Sequence, residues 1–456
     1  MTIVLQEENL GVPEKRKKYT VSVVGCGRIG LATACLFAEA GFRVIGADVN
    51  SRVVALLIKG KALLSETGLE ELLKKHVKNG SFNATRDIRK AASTSDVIVL
   101  VVPTLIDRKK KPDYTFIERT CKEVGRGLRA GSLVIVASTT GPVITETIIK
   151  EALEKASGLK AGVDFSLAYS PTRAAPGHVL QDVATYARVV GAINEKSLNV
   201  ASLVLGTIVK GGIVKVRDMK TAEAIKLFEN VHRDVNLALA NDFAQFCEKI
   251  GIDYLEAQKV ANTQPYCHLL VPGIVGGHIS EDPYLLLEEA ENVNAKLRVL
   301  LHARKINDEM LGHTLHLTRD ALRSCGKTLR RAKISVFGVS SCPNVKESRG
   351  SETKKLVSML KKKGAFVQVY DPFFSPKELM EMGYLTKGTL TRTVEGADCI
   401  IIAVGHDRFR RLNLGRIKFF VKKPAAIVDV GHVIDPVKAE KERFVYRGVG
   451  RGVWTR

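Results

Sequence analysis

The chain is short of the features that would place it in a membrane or an oxidising compartment. None of its apolar runs approaches the roughly 20 residues that a bilayer span needs. The longest, such as "VIVLVVP" at 97–103, are strand-sized. Residues 1–19 have no apolar core of signal-peptide type and read as a polar tail, so a cytoplasmic protein is expected. The eight cysteines include no CxxC pair, which argues against a disulfide framework and a zinc site, so no metal is expected. Aromatic residues are few, at 6%. They do not interleave with the short basic runs at 15–18, 108–111 and 361–363, so those runs read as solvated faces. The net charge of +22 nevertheless favours anionic partners, among them phosphorylated small molecules.

What is present is a long alternation of strand-like and helix-like stretches. "YTVSVVG" (19–25), "RVIGAD" (43–48), "DVIVLVVP" (96–103) and "GSLVIVAST" (131–139) are apolar almost throughout. Strands of that kind, separated by helices, indicate a parallel sheet covered on both faces. The alternation returns near residue 330 with "AKISVFG", "FVQVYDP", "DCIIIAVG" and "AAIVDVG". Between the two lies a proline-free helical stretch at 219–251. The expected architecture is α/β: two Rossmann-like, doubly wound parallel-sheet domains joined by a helical central domain with a long helix. The expected boundaries are 1–19 tail, 20–212 first domain, 213–318 central domain and 319–456 last domain.

"VGCGRIG" places Gly25, Gly27 and Gly30 in GxGxxG spacing, after a strand and opening a helix. The first glycine permits the turn, the second lets backbone approach a pyrophosphate, and the third lets helix pack on strand. Cys26, Arg28 and Ile29 complete the stretch expected to cradle a dinucleotide at a helix N-terminus. Asp48, 18 residues after Gly30, suits ribose hydroxyls and repels a 2′-phosphate, which favours NAD. Arg52 nearby could accommodate such a phosphate and leaves NADP open.

Further motifs carry a family resemblance. "ETGLEELL" (66–73), "VPTLIDRKKKPDYTFIE" (102–118), "AYSPTRAAPG" (168–177), "AEAIKLFENVHRDVNLALAND" (222–242), "GGHISEDPYLLL" (276–287), "ARKINDEM" (303–310), "GVSSCPNVKESRGSE" (338–352) and "YRGVGRG" (446–452) follow in order. The chain resembles the UDP-glucose/GDP-mannose dehydrogenase family, most of all its UDP-N-acetylmannosamine dehydrogenase branch. The resemblance implies NAD on the first domain, a UDP-sugar on the last and a homodimer through the central helix. It also implies two oxidations at the sugar C6, divided by a thioester on a cysteine.

On that resemblance Pro103, Thr104, Thr139 and Arg349 belong at the cofactor, and Arg173, Gly276, Gly277 and His278 at the substrate. Lys226 and Asn230 serve substrate and catalysis, and their i, i+4 spacing puts both on one helical face. An ammonium and an amide there could stabilise charge developing on the C6 oxygen. Thr139 could position a water, or be a simple turn residue. Asp282 could orient Lys226 or a water, or cap the helix ahead of "PYLLL". Arg349 could equally make an ordinary ion pair.

Other family residues are missing. The loop that carries the family's nucleophilic cysteine reads Gly276-Gly277-His278-Ile279-Ser280-Glu281-Asp282, with no cysteine. Ser280 is a poor substitute, because a hydroxyl is hardly ionised at neutral pH. Thr172 stands where the family has a glutamate, and Cys342 where it has a lysine. Gly431 or His432 falls where it has an arginine. Cys267 and Cys342 are candidates for a recruited thiol, or inert. The expectation is an NAD-dependent C6 dehydrogenase of a UDP-sugar, of the UDP-N-acetylmannosamine or UDP-glucose type, whose second step lacks the family's nucleophile. The alternative is a non-catalytic relative that binds NAD or a UDP-sugar, or partners an active paralogue. A nucleic-acid role rests on charge alone.

Overall fold

A computed structural model describes residues 5–64, 66–107 and 109–454. By packing, the chain forms two compact units. One contains residues 1–229 and 284–296, the other 230–283 and 297–456. Residues 213–318, expected as a middle domain, are therefore shared between the two.

The first unit is built on eight strands: β1 Thr20–Val24, β2 Arg43–Ala47, β3 Phe82–Thr85, β4 Val97–Leu100, β5 Leu133–Val136, β6 Ser166–Tyr169, β7 Arg188–Ala192 and β8 Ile213–Lys215. Their order is 8-7-6-5-4-1-2-3. All pairings are parallel except β6 with β7, which is antiparallel. Strands β1, β4, β5 and β6 are buried at every position. Helices cover both faces, which is why "VIVL" and "LVIV" carry no polar alternation. Helix α1, Arg28–Glu39, covers one face through Leu31, Cys35 and Phe37. The helix Thr115–Gly125 covers the other through Ile117, Cys121 and Val124. The order places β1 between β2 and β4, so the chain reverses direction across the sheet there. A crevice opens beyond the carboxyl ends of strands at such a switch point.

The segment expected as a polar tail does not behave as one. Residues Glu7–Leu10 and Pro13–Lys18 are helical, and Leu5 and Leu10 are buried in the core of the first unit. Arg16 fastens the segment by donating from Nε to the Leu10 carbonyl (2.6 Å) and from Nη1 to the Ala40 carbonyl (2.9 Å). Two buried leucines and these hydrogen bonds together dock it.

The second unit holds β9 Lys333–Phe337, β10 Phe366–Tyr370, β11 Cys399–Ile402, β12 Ala425–Asp429 and β13 Phe444–Gly448, all parallel, in the order 10-9-11-12-13. This is a second Rossmann-like sheet, with its own switch point between β9 and β11.

Three helices carry the remaining motifs: α2 Met219–Ile250, α3 His278–Asn292 and α4 Arg298–Ser324. At 1.5 Å per residue α2 is about 48 Å long. Its second half packs on α4 through a buried polar cluster. The Arg304 guanidinium meets Asp234 at 2.5 Å, Asn307 Nδ2 donates to Asp234 at 2.8 Å, and Asn241 Nδ2 donates to Asn307 Oδ1 at 2.9 Å. Asn241 also exchanges two hydrogen bonds with the backbone of Gly273. The motifs "RDVNLALAND" and "ARKINDEM" thus explain one another: they anchor the loop that leads to Gly276.

Candidate active site

In the first unit the glycine fingerprint has the shape that a pyrophosphate requires. Gly25 adopts φ +94°, and a Cβ there would sit 2.2 Å from the Val101 carbonyl oxygen. A Cβ on Gly30 would sit 1.8 Å from the Gly25 carbonyl oxygen. A Cβ on Gly27 would meet nothing within 4 Å, so the open side of the turn lies there. Helix α1 begins at Arg28 with no side chain capping its first amides, which leaves those N–H groups for an anion. The residues fit a dinucleotide.

The side chains around this turn divide their tasks. The Cys26 thiol points into the core, donating weakly to the Val23 and Ala47 carbonyls, and burial pushes its pKa up. Only the Cys26 backbone faces the turn, and its N–H donates to Asp48 Oδ2 at 2.9 Å. Asp48 Oδ1 accepts the Asn50 N–H at 2.9 Å. Asp48 remains half-buried, so each oxygen keeps a lone pair for a ribose hydroxyl. Ile29 is half-buried beside the core, and the Arg52 side chain is exposed. Arg28, expected at the cofactor, pairs with the buried carboxylate of Glu66, which also accepts the Gly177 and Val179 amides. Its guanidinium therefore braces the loop at 177–179.

The loops that follow β4 and β5 meet at the same edge. Ser138 Oγ accepts the Val102 N–H at 2.9 Å, and Thr104 Oγ1 donates to the Thr139 carbonyl at 2.6 Å. Pro103 lies between them and is exposed. Gly25, Pro103, Thr104 and Thr139 are thus brought together.

The turn after Thr139 is held by a group that carries no signature in the sequence. Glu223, fully buried on α2, accepts at Oε1 from Thr140 Oγ1 (2.9 Å), the Thr145 N–H (2.9 Å) and Thr145 Oγ1 (2.6 Å). Burial dominates its environment and raises its pKa from 4.5 to about 7, against the pull of these hydrogen bonds. Lys226, three residues on, is half-buried on the same helix. Arg173 pairs with Glu229 on that helix and donates to the Ala187 carbonyl at 3.3 Å. Thr172, at the family's glutamate position, is buried.

In the second unit Asn230 Nδ2 donates to the buried Asp282 carboxylate, so Asp282 positions a side chain of α2. Gly276 and Gly277 stack on the backbone of Gly350. The Gly277 N–H donates to the Gly350 carbonyl at 2.8 Å, and a Cβ on Gly276 would fall 2.6 Å from that oxygen. Arg349, expected at the cofactor, is the neighbour of Gly350 in the second unit and is exposed. His278 opens α3 and is exposed. Ser280 Oγ donates to the Gly277 carbonyl at 2.9 Å. This bond ties the hydroxyl back onto the first turn of α3. Cys267 and Cys342 are half-buried, and the Cys267 thiol lies 3.8 Å from Asn262 Oδ1. His432 adopts φ +53°, and its Nε2 donates to the Pro272 carbonyl at 2.8 Å. Burial lowers its pKa to about 4, so a neutral imidazole stands near the family's arginine position.

The two sheets differ where their first turns meet an acidic residue. Asp48 follows β2, and Asp371 follows β10 in the equivalent place. The Asp371 carboxylate is sealed: it accepts from the Val339 N–H (2.7 Å), the Phe373 N–H (2.8 Å) and the buried His406. The first sheet therefore offers a carboxylate to a ribose and the second does not. Among the described residues no group of three or more His, Cys, Asp or Glu could hold a metal, and no helix is long and apolar enough to cross a membrane.

Comparison with known proteins gives a consistent result. Residues 19–208 match the NAD binding domain of the UDP-glucose/GDP-mannose dehydrogenase family, 220–309 its central domain and 335–436 its UDP binding domain. Over 434 residues the chain is 34% identical to a UDP-N-acetyl-D-mannosamine dehydrogenase of Pyrococcus horikoshii, covering 95% of this chain and 99% of that protein. It is 31% identical over 427 residues to a UDP-N-acetyl-D-glucosamine 6-dehydrogenase of Pseudomonas aeruginosa, covering 93% and 99%. The solved structure of a UDP-D-ManNAc dehydrogenase from Pyrococcus horikoshii is similar with a TM-score of 0.87 at 33% identity, over 95% of this chain and all of that one.

Proposed function

The chain belongs to the UDP-glucose/GDP-mannose dehydrogenase family, and from that premise we propose that it oxidises the C6 alcohol of a UDP-linked sugar of the N-acetylmannosamine type. NAD supplies the hydride acceptor on the first unit. The alcohol would give its hydride to that cofactor and its proton to water, and so become an aldehyde. Lys226 and Asn230 stabilise the charge that develops on the C6 oxygen, and Asp282 holds Asn230 in place. Gly276, Gly277 and His278 line the sugar nucleotide, Thr139 faces the cofactor, and Arg349 stands beside the Gly276–Gly277 contact.

The same reading holds that the second oxidation is impaired. One observation carries it: the loop from Gly276 to Asp282 contains no cysteine, and its one hydroxyl, Ser280, is spent on the Gly277 carbonyl. Without a thiolate at that loop the aldehyde leaves as such or as its hydrate. The test is the number of NADH formed per UDP-N-acetylmannosamine consumed, with UDP-glucose in parallel. One NADH is expected. Two NADH, abolished by neither Cys267→Ala nor Cys342→Ala, would overturn both the impairment and thiol recruitment. No turnover with either sugar, together with retained NAD binding, would establish the non-catalytic alternative.

We also propose a homodimer through α2. Leu239, Phe243, Phe246 and Ile250 recur at intervals of four, three and four and are each more than 40% exposed. That is one apolar stripe on one helical face, of the kind that a second copy covers.

A further inference from the structure

The turn that follows β5 is strained, and several groups hold it. Val143 adopts φ +71°. A β-branched residue in the left-handed region is a genuine outlier. Such conformations persist only where the surroundings over-determine them, and they cluster at functional sites. Two residues later the chain makes a π-helical turn, Thr145–Ile149, before Lys150–Ser157 continues as α-helix. Inserted turns of this kind also gather at functional sites.

The holding groups come from two directions. On one side Glu223 Oε1 accepts three hydrogen bonds from Thr140 and Thr145, which flank Val143, and the Val143 amide also faces its carboxylate. On the other side the Tyr114 hydroxyl accepts the Gly141 N–H at 3.1 Å. Gly141 fits only because it lacks a side chain: a Cβ would sit 2.9 Å from Tyr114 Oη, 3.2 Å from Glu289 Cγ and 3.3 Å from the Leu285 carbonyl oxygen. All of these residues belong to the first unit.

We propose that Glu223 is a positioning residue. It clamps the strained turn at 140–145, and with it Thr139, to the stretch of α2 that carries Lys226 one turn further on. A solvated helical glutamate could serve any helix. A fully buried one, with three donors from a single turn converging on one oxygen, fixes the distance between two chain segments about 80 residues apart. The part that acts is the acceptor at Oε1 and not the charge, so glutamine should replace it and alanine should not. The inference rests on the proposed roles of Thr139 and Lys226.

The experiment compares Glu223→Ala, Glu223→Gln and Thr145→Val in the full chain. Amide hydrogen exchange is measured by mass spectrometry, beside kcat and KM for UDP-N-acetylmannosamine. Glu223→Ala should speed exchange across 140–149 by about tenfold or more while β9–β13 stay protected. It should lower kcat by about tenfold, with KM moving by less than about threefold. Glu223→Gln should restore both, and Thr145→Val should fall between, which keeps the test alive if the alanine variant does not fold. Unchanged exchange at 140–149 in the alanine and valine variants would overturn the proposal. So would a glutamine variant as loose as the alanine one. If the wild-type protein shows no turnover, the proposed activity has failed and the exchange measurements alone decide the clamp.

Discussion

Glu223→Gln has a second consequence, in stability, that depends on pH. Burial raises the Glu223 pKa from 4.5 to about 7 in the folded chain. The folded state therefore holds this proton more tightly than the unfolded state. Between about pH 4.5 and 7 unfolding releases a proton, so each pH unit lowers stability by about 1.4 kcal/mol. Across that window the wild-type protein loses about 3 kcal/mol through this group. Glutamine does not titrate. Its own cost, a buried amide NH2 without an acceptor, is about 1–3 kcal/mol and independent of pH. The difference in stability between variant and wild type should therefore move in the variant's favour by about 3 kcal/mol from pH 4.5 to pH 8. Urea unfolding at both pH values measures it. Tyr114 does not confuse the result, because burial pushes its phenol above this range. Glu289, also raised by burial, is present in both proteins and cancels. A difference that stays flat within about 0.5 kcal/mol would show that Glu223 titrates normally and that the reasoning from burial is wrong.

Val143→Gly should stabilise the fold by about 1 kcal/mol, since relief of about 1–3 kcal/mol of backbone strain outweighs the added entropy of glycine; chemical unfolding measures it. Glu66→Gln breaks the buried pair with Arg28 and should cost about 3 kcal/mol, read by the same method. Asp48→Ala should weaken NAD binding by about tenfold in calorimetry, because ribose loses its acceptor and the Cys26 amide its partner. The double substitution Phe243→Glu, Phe246→Glu should convert the proposed dimer to monomer in analytical ultracentrifugation, with the circular dichroism spectrum unchanged.

The legible parts of this molecule were those with a local signature. "VIVL" and "LVIV" announce buried parallel strands because their covering on both faces is written into every residue. Gly25, Gly27 and Gly30 announce a phosphate turn because their spacing follows from backbone sterics within six residues. Lys226 and Asn230 share a face because helical periodicity is local. What stayed hidden depends on partners far along the chain. Glu223 reads as one more helical glutamate until Thr140 and Thr145 arrive from about 80 residues away. Arg28 sits inside the fingerprint, yet Glu66 claims it. Asp371 mimics Asp48 in sequence, and only His406, 35 residues on, shows that its carboxylate is sealed. Leu5 and Leu10 looked too sparse to dock a tail, because the groove that takes them is made by other segments.

The first unit is assembled from two separate lengths of chain, 1–229 and 284–296. During synthesis its sheet can form once β8 has emerged, but the wall beside Gly141 waits for Leu285 and Glu289. The segment 230–283, which belongs to the second unit, must emerge in between. Nor can the two halves be exchanged between relatives by cutting near residue 212. Such a cut removes Met219, Ala222 and Glu223 from the core they complete. A chimaera that preserves the first unit has to break within α2, after Glu229, and return for the second half of α3.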